Sequence, residues 1–345
     1  MNKIVINMLS SANKVEGQGV GSAYDEQVGL VKKGLKNFEI IENSKKDADI
    51  LHHYTVDLGN YMKMSTTKGV NVAHVHFLPT TLDGSIKLPK PIFAVFKKYV
   101  IDFYNKADYL VVVNPIFKKE LVKNKISSDK VVYIPNYVSK DTFYKKSDKE
   151  VSEIRKKIGL KDDDFVVLGV GQVQTRKGVL DFIEIAKKMK DVQFVWCGGF
   201  SFGKITDGYN ELKKIYDNPP SNVKFLGIVP RDEMNDMYNM SDILFMPSYN
   251  ELFPMSILEA VNINKPLLLR DLDLYEDILF KKYMSSNNNK GFIEKIKVLK
   301  DDKKEYKKYS EYSKDISEFY SDKHVLKMWE EFYTKIYNEH REKVK

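Results

Sequence analysis

The sequence predicts an α/β protein made of two doubly wound parallel sheets, and three observations predict it. Short apolar runs alternate with helix-period stretches along the chain, the pattern of strand–helix–strand units. The pattern starts afresh after Val138, across the polar segment SKDTFYKKSDKE (139–150). The 345 residues exceed one ordinary core and suit two domains of about 150 residues. The boundaries expected are 1–140 for the first domain, 141–320 for the second, and 321–345 for a closing helix.

The first half opens with the apolar run IVINML (4–9). A glycine-rich loop, EGQGVGSAYDEQ (16–27), leads into a helical stretch that reaches about Lys36. Further strands are expected at ADILHHY (48–54), VNVAHVHF (70–77), ADYLVVVN (107–114) and VVYIPNYV (131–138). The second half begins with DFVVLGVGQV (164–173), a buried strand ending in glycines. GVLDFIEIAKKM (178–189) has a helical period. Strands follow at VQFVWCGG (192–199), NVKFLGIV (222–229), SDILFMPS (241–248) and KPLLLRD (265–271). The tail VLKMWEEFYTKIYNEH (325–340) reads as an amphipathic helix.

Composition narrows the class. An apolar fraction of 43% with 30% charged residues is that of a soluble globular chain. The single cysteine, Cys197, excludes an internal disulfide and points to a reducing compartment. The opening MNKIVINML is too short for a signal peptide or a membrane span, and no apolar window of about 18 residues occurs elsewhere. Charge is uneven: residues 1–145 hold 21 Lys, no Arg and 14 acidic residues, so nearly all of the net +8 lies there. A basic half suits an anionic partner, nucleic acid or membrane, or is simply a solvated lysine-rich face.

Ligands of doubly wound sheets bind outside the carboxyl ends of the strands. The candidate motifs fall at such ends. In GVGQVQTRKGVLDF (169–182) a strand runs into Gly169 and Gly171, and a helix begins near Gly178. Small residues let a ligand approach the backbone, and a helix start favours an anion. Arg176 and Lys177 add two cations at that turn, in a chain with only Arg155, Arg176, Arg231, Arg270 and Arg341. Arginine can hold phosphate oxygens in a fork where lysine is a point charge. The turn is not a GxxxxGK[ST] phosphate loop.

YNELFPMSILEAV (249–261) sets Glu251 and Glu259 eight positions apart on either side of Phe253 and Pro254. Pro254 suits the first position of a helix. Two nearby carboxylates invite an acid/base reading, since a retaining hydrolase places them about 5 Å apart. The setting argues for the other reading. A helix start at Leu252–Met255 is an anion seat, and carboxylates beside it can accept hydrogen bonds from ligand hydroxyls. No HExxH or CxxC spacing is present, and His52, His53, His324 and His340 read as structural or surface residues.

The order of these motifs carries a resemblance. GQVQTRKG, then FLGIVPRDEMNDMYNMSDILFMPS, then the spaced glutamates, resembles the retaining glycosyltransferases of family 4, which have the GT-B fold. VVYIPNYVSKDTF (131–143) resembles that family's I-P-N-G-V segment at the domain junction. The likeness spans nearly the whole chain and is most specific over residues 164–262. It implies two Rossmann-like domains facing across a cleft, with the C-terminal helix packing back toward the first. Position by position it implies that Arg176 and Lys177 hold a donor diphosphate and that Glu259 takes the ribose hydroxyls. It implies that Glu251 binds hydroxyls of the donor sugar, and that the backbone at Phe253, Pro254 and Met255 lines the sugar and phosphate, with amide N–H groups at Phe253 and Met255. Ile228 would frame the base through its backbone. Gly19 and Gly21 would face the sugar diphosphate. His74 would lie near the anomeric carbon, with His76 its competitor. The sequence departs from the family at Gln172, where relatives carry an arginine, at E-L-F-P in place of E-G-F-G, and at I-P-N-Y-V. The implied chemistry is transfer of a hexose from a nucleotide diphosphate, UDP in the first instance, with retention and without a metal or other cofactor.

The acceptor is expected on the basic first half. The stretch 76–109 mixes Lys87, Lys90, Lys97, Lys98 and Lys106 with Ile92, Phe93, Phe96, Tyr99, Ile101, Phe103 and Tyr104. That mixture reads as an interfacial helix on anionic lipid, or as a core helix with one wet face. It also resembles the family's glycolipid-forming branch, which glycosylates diacylglycerol or its monoglycosyl form on the inner face of the cell membrane. The alternatives are a glycosyltransferase of a soluble or cell-surface polysaccharide or protein, a non-catalytic nucleotide-sugar binder, and a nucleic-acid binder. The last lacks any recognisable reader motif and is disfavoured.

Overall fold

A computed structural model describes residues 3–11, 19–78, 90–201 and 203–344. The described residues of Met1–Ser139 together with Tyr320–Lys345 form one compact unit, and Lys140–Phe319 form the other.

The first unit is a parallel six-stranded sheet with strands β1 (Ile4–Leu9), β2 (Phe38–Glu42), β3 (Ile50–His53), β4 (Val70–Val75), β5 (Tyr109–Val112) and β6 (Val131–Tyr133). Its order is β2-β1-β3-β4-β5-β6 and every pairing is parallel. The central strands β3 and β4 are buried along their length, as expected of a sheet covered on both faces. The long C-terminal helix Asp322–Val344 belongs to this unit. Its apolar face, Val325, Trp329, Phe332, Tyr333 and Ile336, shares a core with Ile6, Tyr24, Ile50, Tyr54 and Val72.

The second unit has strands β7 (Val166–Val170), β8 (Gln193–Cys197), β9 (Val223–Gly227), β10 (Ile243–Met246), β11 (Leu267–Arg270) and β12 (Met284–Ser286). They are ordered β12-β11-β10-β7-β8-β9, again all parallel. The order reverses between β7 and β10, which is where a doubly wound sheet opens a ligand crevice. Phe182 packs between Trp196, Phe194 and Phe245, and locks the helix Val179–Lys188 to this point of the sheet.

Two strands were not expected, β2 and β12. Both are edge strands. FEIIE carries acids at both exposed positions, and MSS is three residues long, so neither shows an apolar run. No helix among the described residues is long and apolar enough to cross a membrane.

Candidate active site

The turn after β7 and the turn after β10 meet at the switch point. Gly178 makes this possible. It adopts φ +70, and a Cβ there would stand 2.3 Å from the Pro247 carbonyl oxygen. Glycine alone lets the helix Val179–Lys188 start against the end of β10. The two turns are then stitched together. The Tyr249 amide donates to the Arg176 carbonyl at 2.9 Å, and Arg176 Nη1 donates to the Asn250 carbonyl at 2.7 Å.

Lys177 and Glu251 form the centre of this site. Lys177 Nζ lies 2.5 Å from Glu251 Oε1, and Arg176 Nη1 lies 4.0 Å from Glu251 Oε2. Burial alone would raise the Glu251 carboxyl, but Lys177 and Arg176 outweigh it and hold the group below the usual carboxylate range. Its charge therefore contributes stability above that range, and the contribution is lost as pH falls through the lowered value. Burial pushes the Lys177 ammonium down while Glu251 opposes the shift. Tyr275 is fully buried nearby, its hydroxyl pushed up by burial and then by Glu251.

Glu259 has different partners. It sits in the helix Met255–Asn262, accepts from Arg231 Nη1 at 2.7 Å and from the Tyr238 hydroxyl at 2.5 Å, and is buried. Arg231 lies over the Phe143 ring at 5.1 Å, and Phe143 meets Tyr238 edge-on. The two glutamates thus belong to separate networks, Glu251 held by Lys177 and Arg176 and Glu259 by Arg231. Neither is arranged to pass a proton to the other.

Pro254 is the residue before the helix rather than its first member, and Met255 begins it. Phe253 and Met255 are buried there. Gly171 has φ +143, and its carbonyl accepts from Trp196 Nε1 at 2.8 Å. Gln172 Oε1 accepts from Gln174 Nε2 at 2.5 Å. Ile228 follows the end of β9, is 52% exposed, and lies against Gly199. Gly19 and Gly21 start the helix Gly19–Gly34 that follows β1. Residues 12–18 before it lie outside the described residues.

His74 and His76 stand on one face of β4 and its end. Their rings stack at 4.2 Å and within 4° of parallel, and Tyr54 packs on both. His74 Nδ1 lies 3.2 Å from His52 Nε2. Burial keeps both rings neutral and pushes His76 down to about 3. No group of three His, Cys, Asp or Glu residues able to hold a metal ion occurs among the described residues.

The helix Lys90–Lys106 shows its first turns to solvent. Ile92 is 54% and Val95 71% exposed, with Lys97 and Lys98 exposed beside them. Phe93 and Phe96 are half-buried, and Phe96 stacks on Phe77. Lys87 and the Lys90 side chain lie outside the described residues.

Sequence reasoning missed four contributors. Arg231 and Tyr238 lie inside a motif already quoted, but their pairing with Glu259 depends on tertiary contact. Arg270, at the end of β11, donates to the Pro247 carbonyl at 2.8 Å and to Asp181 at 2.8 Å, and covers the Tyr249 ring at 3.8 Å. Its scarcity among the cations was the one available signal. Val95 was missed because a single valine carries no pattern.

A cation pair at a helix start with Glu251 beside it, and a second, separately anchored carboxylate on the helix that follows β10, suit a ligand that joins a diphosphate to polyhydroxyl groups. Enzymes that transfer sugars from nucleoside diphosphates form that class. Residues 150–316 match the family model described as glycosyl transferases group 1. The chain is 44% identical over 336 residues to alpha-galactosylglucosyldiacylglycerol synthase of Streptococcus pneumoniae, covering 96% of this chain and 90% of that one. It is 30% identical over 292 residues to processive diacylglycerol alpha-glucosyltransferase of Acholeplasma laidlawii, covering 83% and 85%. Among solved structures, that of Anabaena HepE in complex with UDP-glucose shares the fold at a TM-score of 0.77 and 14% identity, over 96% of this chain and 100% of that one. The chain belongs to the group 1 glycosyl transferases and has the GT-B fold.

Proposed function

We propose that the protein transfers glucose or galactose from a UDP-hexose to a membrane glycerolipid, diacylglycerol or its monoglycosyl form, with retention of configuration. The observation that carries this reading is the 44% identity, along 96% of the chain, to a protein named as the synthase of a diglycosyl diacylglycerol. The site supports it. Arg176 and Lys177 take the diphosphate, where negative charge grows as the leaving group departs. Those two cations supply that charge stabilisation from the protein itself, so the transfer needs no metal. Glu251 and the helix start at Met255 grip the hexose, and Glu259 grips the ribose. Ile228 lies along the base, and Gly19 and Gly21 face the diphosphate. His74 and His76 offer neutral ring nitrogens to the transferred sugar.

The acceptor half of the reading rests on the first unit. Ile92 and Val95 offer apolar side chains to a bilayer, and Lys97 and Lys98 offer charge to anionic headgroups at about 1 kcal/mol each. The neighbouring helix Leu58–Lys63 meets this one through Tyr61 and Tyr99, and shows Leu58 and Met62 to solvent. Such a protein works from the inner face of the cell membrane without spanning it.

Vesicle flotation tests the membrane surface. The protein is expected to float with vesicles containing phosphatidylglycerol and to stay behind with phosphatidylcholine alone. Replacing Ile92 and Val95 together by serine is expected to lower partitioning at least about tenfold. Equal recovery of variant and wild type, or no flotation at all, moves the acceptor to a soluble glycan or a protein. Product analysis with nucleotide-sugar donors tests the transfer itself.

A further inference from the structure

Behind the His74–His76 pair runs a buried polar chain that the transfer reaction has not so far used. Gln27, on the helix after the glycine loop, donates from Nε2 to the Tyr333 hydroxyl oxygen at 3.3 Å. That hydroxyl lies 2.7 Å from His52 Nδ1, and His52 Nε2 lies 3.2 Å from His74 Nδ1. His52 and His74 are buried, and their rings lie within 10° of parallel. Beyond His74 the chain stops: His74 Nε2 and His76 Nε2 are buried and meet no partner among the described residues.

The positions of the protons follow from the donors available. The Tyr333 hydroxyl has one proton and two neighbours that could take it, His52 Nδ1 at 2.7 Å and Met8 Sδ at 3.8 Å. A ring nitrogen is much the better acceptor and the nearer one. Tyr333 therefore donates to His52 Nδ1, which puts the His52 proton on Nε2. His52 Nε2–H then donates to His74 Nδ1, which puts the His74 proton on Nε2. Burial keeps both rings neutral, so each carries one proton and the chain has one direction. A buried N–H left without a partner is costly, so His74 Nε2–H is poised to donate to a ligand group.

We propose that Tyr333 and His52 are positioning residues for sugar transfer: they fix His74 as the Nε2–H tautomer, so that it presents one neutral hydrogen-bond donor to a hydroxyl of the transferred hexose. The inference rests on the reading that His74 and His76 face that sugar. It gives the C-terminal helix a part in the reaction besides its part in the core.

Nitrogen-15 histidine labelling with two-bond proton–nitrogen correlation reads tautomers directly. In the wild-type protein at neutral pH, His52 and His74 are expected as Nε2–H tautomers. In Tyr333→Phe both become mixtures, and kcat falls about tenfold, the worth of one buried hydrogen bond, with donor KM unchanged. His52→Gln keeps an amide donor toward His74 and a carbonyl acceptor for Tyr333, so it is expected to keep the His74 tautomer and most of kcat. His52→Leu loses both, and this pair stands in should Tyr333→Phe fail to fold. An Nδ1–H tautomer at His74 in the wild type overturns the proposal. So does a kcat loss in Tyr333→Phe or His52→Leu with the His74 tautomer intact, which would mark a packing defect. Full activity of both His74→Ala and His76→Ala instead overturns the sugar-facing reading beneath it, whatever the tautomers show.

Discussion

Replacing Arg176 with alanine is expected to lower kcat by about 10²–10³-fold, with donor KM changing far less. Arg176 is preorganised. Arg176 Nη1 is already held by the Asn250 carbonyl, and the residue is fixed between two turns by the Tyr249 amide on its own carbonyl. Its charge is therefore fixed in place, as stabilising a departing diphosphate would require. Arg176→Lys keeps the charge but loses the planar fork, so an intermediate rate is expected. Full kcat in Arg176→Ala would remove the diphosphate from this turn. A matching fall in thermal stability would instead mark a folding loss, so each rate is read beside a melting curve.

Replacing Glu259 with alanine is expected to raise donor KM by about 10- to 100-fold, with kcat kept within a few-fold. Ribose hydroxyls do not change during transfer. Hydrogen bonds to them act equally on the bound donor and on the transition state, which is uniform binding. The carboxylate is held by two partners, Arg231 and Tyr238. Calorimetric titration with UDP checks the assignment without turnover: the variant should bind UDP more weakly by the same factor. Unchanged UDP affinity would sink it. Glu251 offers the contrast. Its variants are expected to spare UDP affinity relative to Glu259 variants, because Glu251 is read as meeting the sugar.

Much of this was legible in the chain, and the reasons are local. Buried parallel strands are written as continuous apolar runs, so β4, β7, β8, β10 and β11 each lie within an expected segment. The edges β2 and β12 escaped because β2 carries exposed Glu39 and Glu42 and β12 is only three residues long, so no such run exists. The Arg176–Lys177 turn and the two glutamates were legible because they fall where strand gives way to helix. Their partners were not. Whether Glu251 meets Glu259 or Lys177 is decided by Gly178 letting a helix start beside Pro247, and spacing alone does not carry that contact. The histidines show the same limit. His52 read as structural or surface and is buried, but its contact with His74 at 3.2 Å was not legible, because it depends on β3 and β4 being neighbours in the sheet. Tyr333 is 281 residues from the ring it touches, and only the packing of the C-terminal helix brings them together.

The central claim is that this chain moves a hexose from a nucleotide to a membrane lipid. Purified protein incubated with UDP-glucose, UDP-galactose or GDP-mannose tests it most directly. Each donor is supplied with phosphatidylglycerol vesicles carrying diacylglycerol or monoglucosyl diacylglycerol, and lipid products are read by mass spectrometry. The account predicts one new glycolipid, heavier than its acceptor by a single hexose, formed from a UDP-sugar and absent without vesicles. Donor consumption with no lipid product, or transfer that ignores the vesicles, would contradict it.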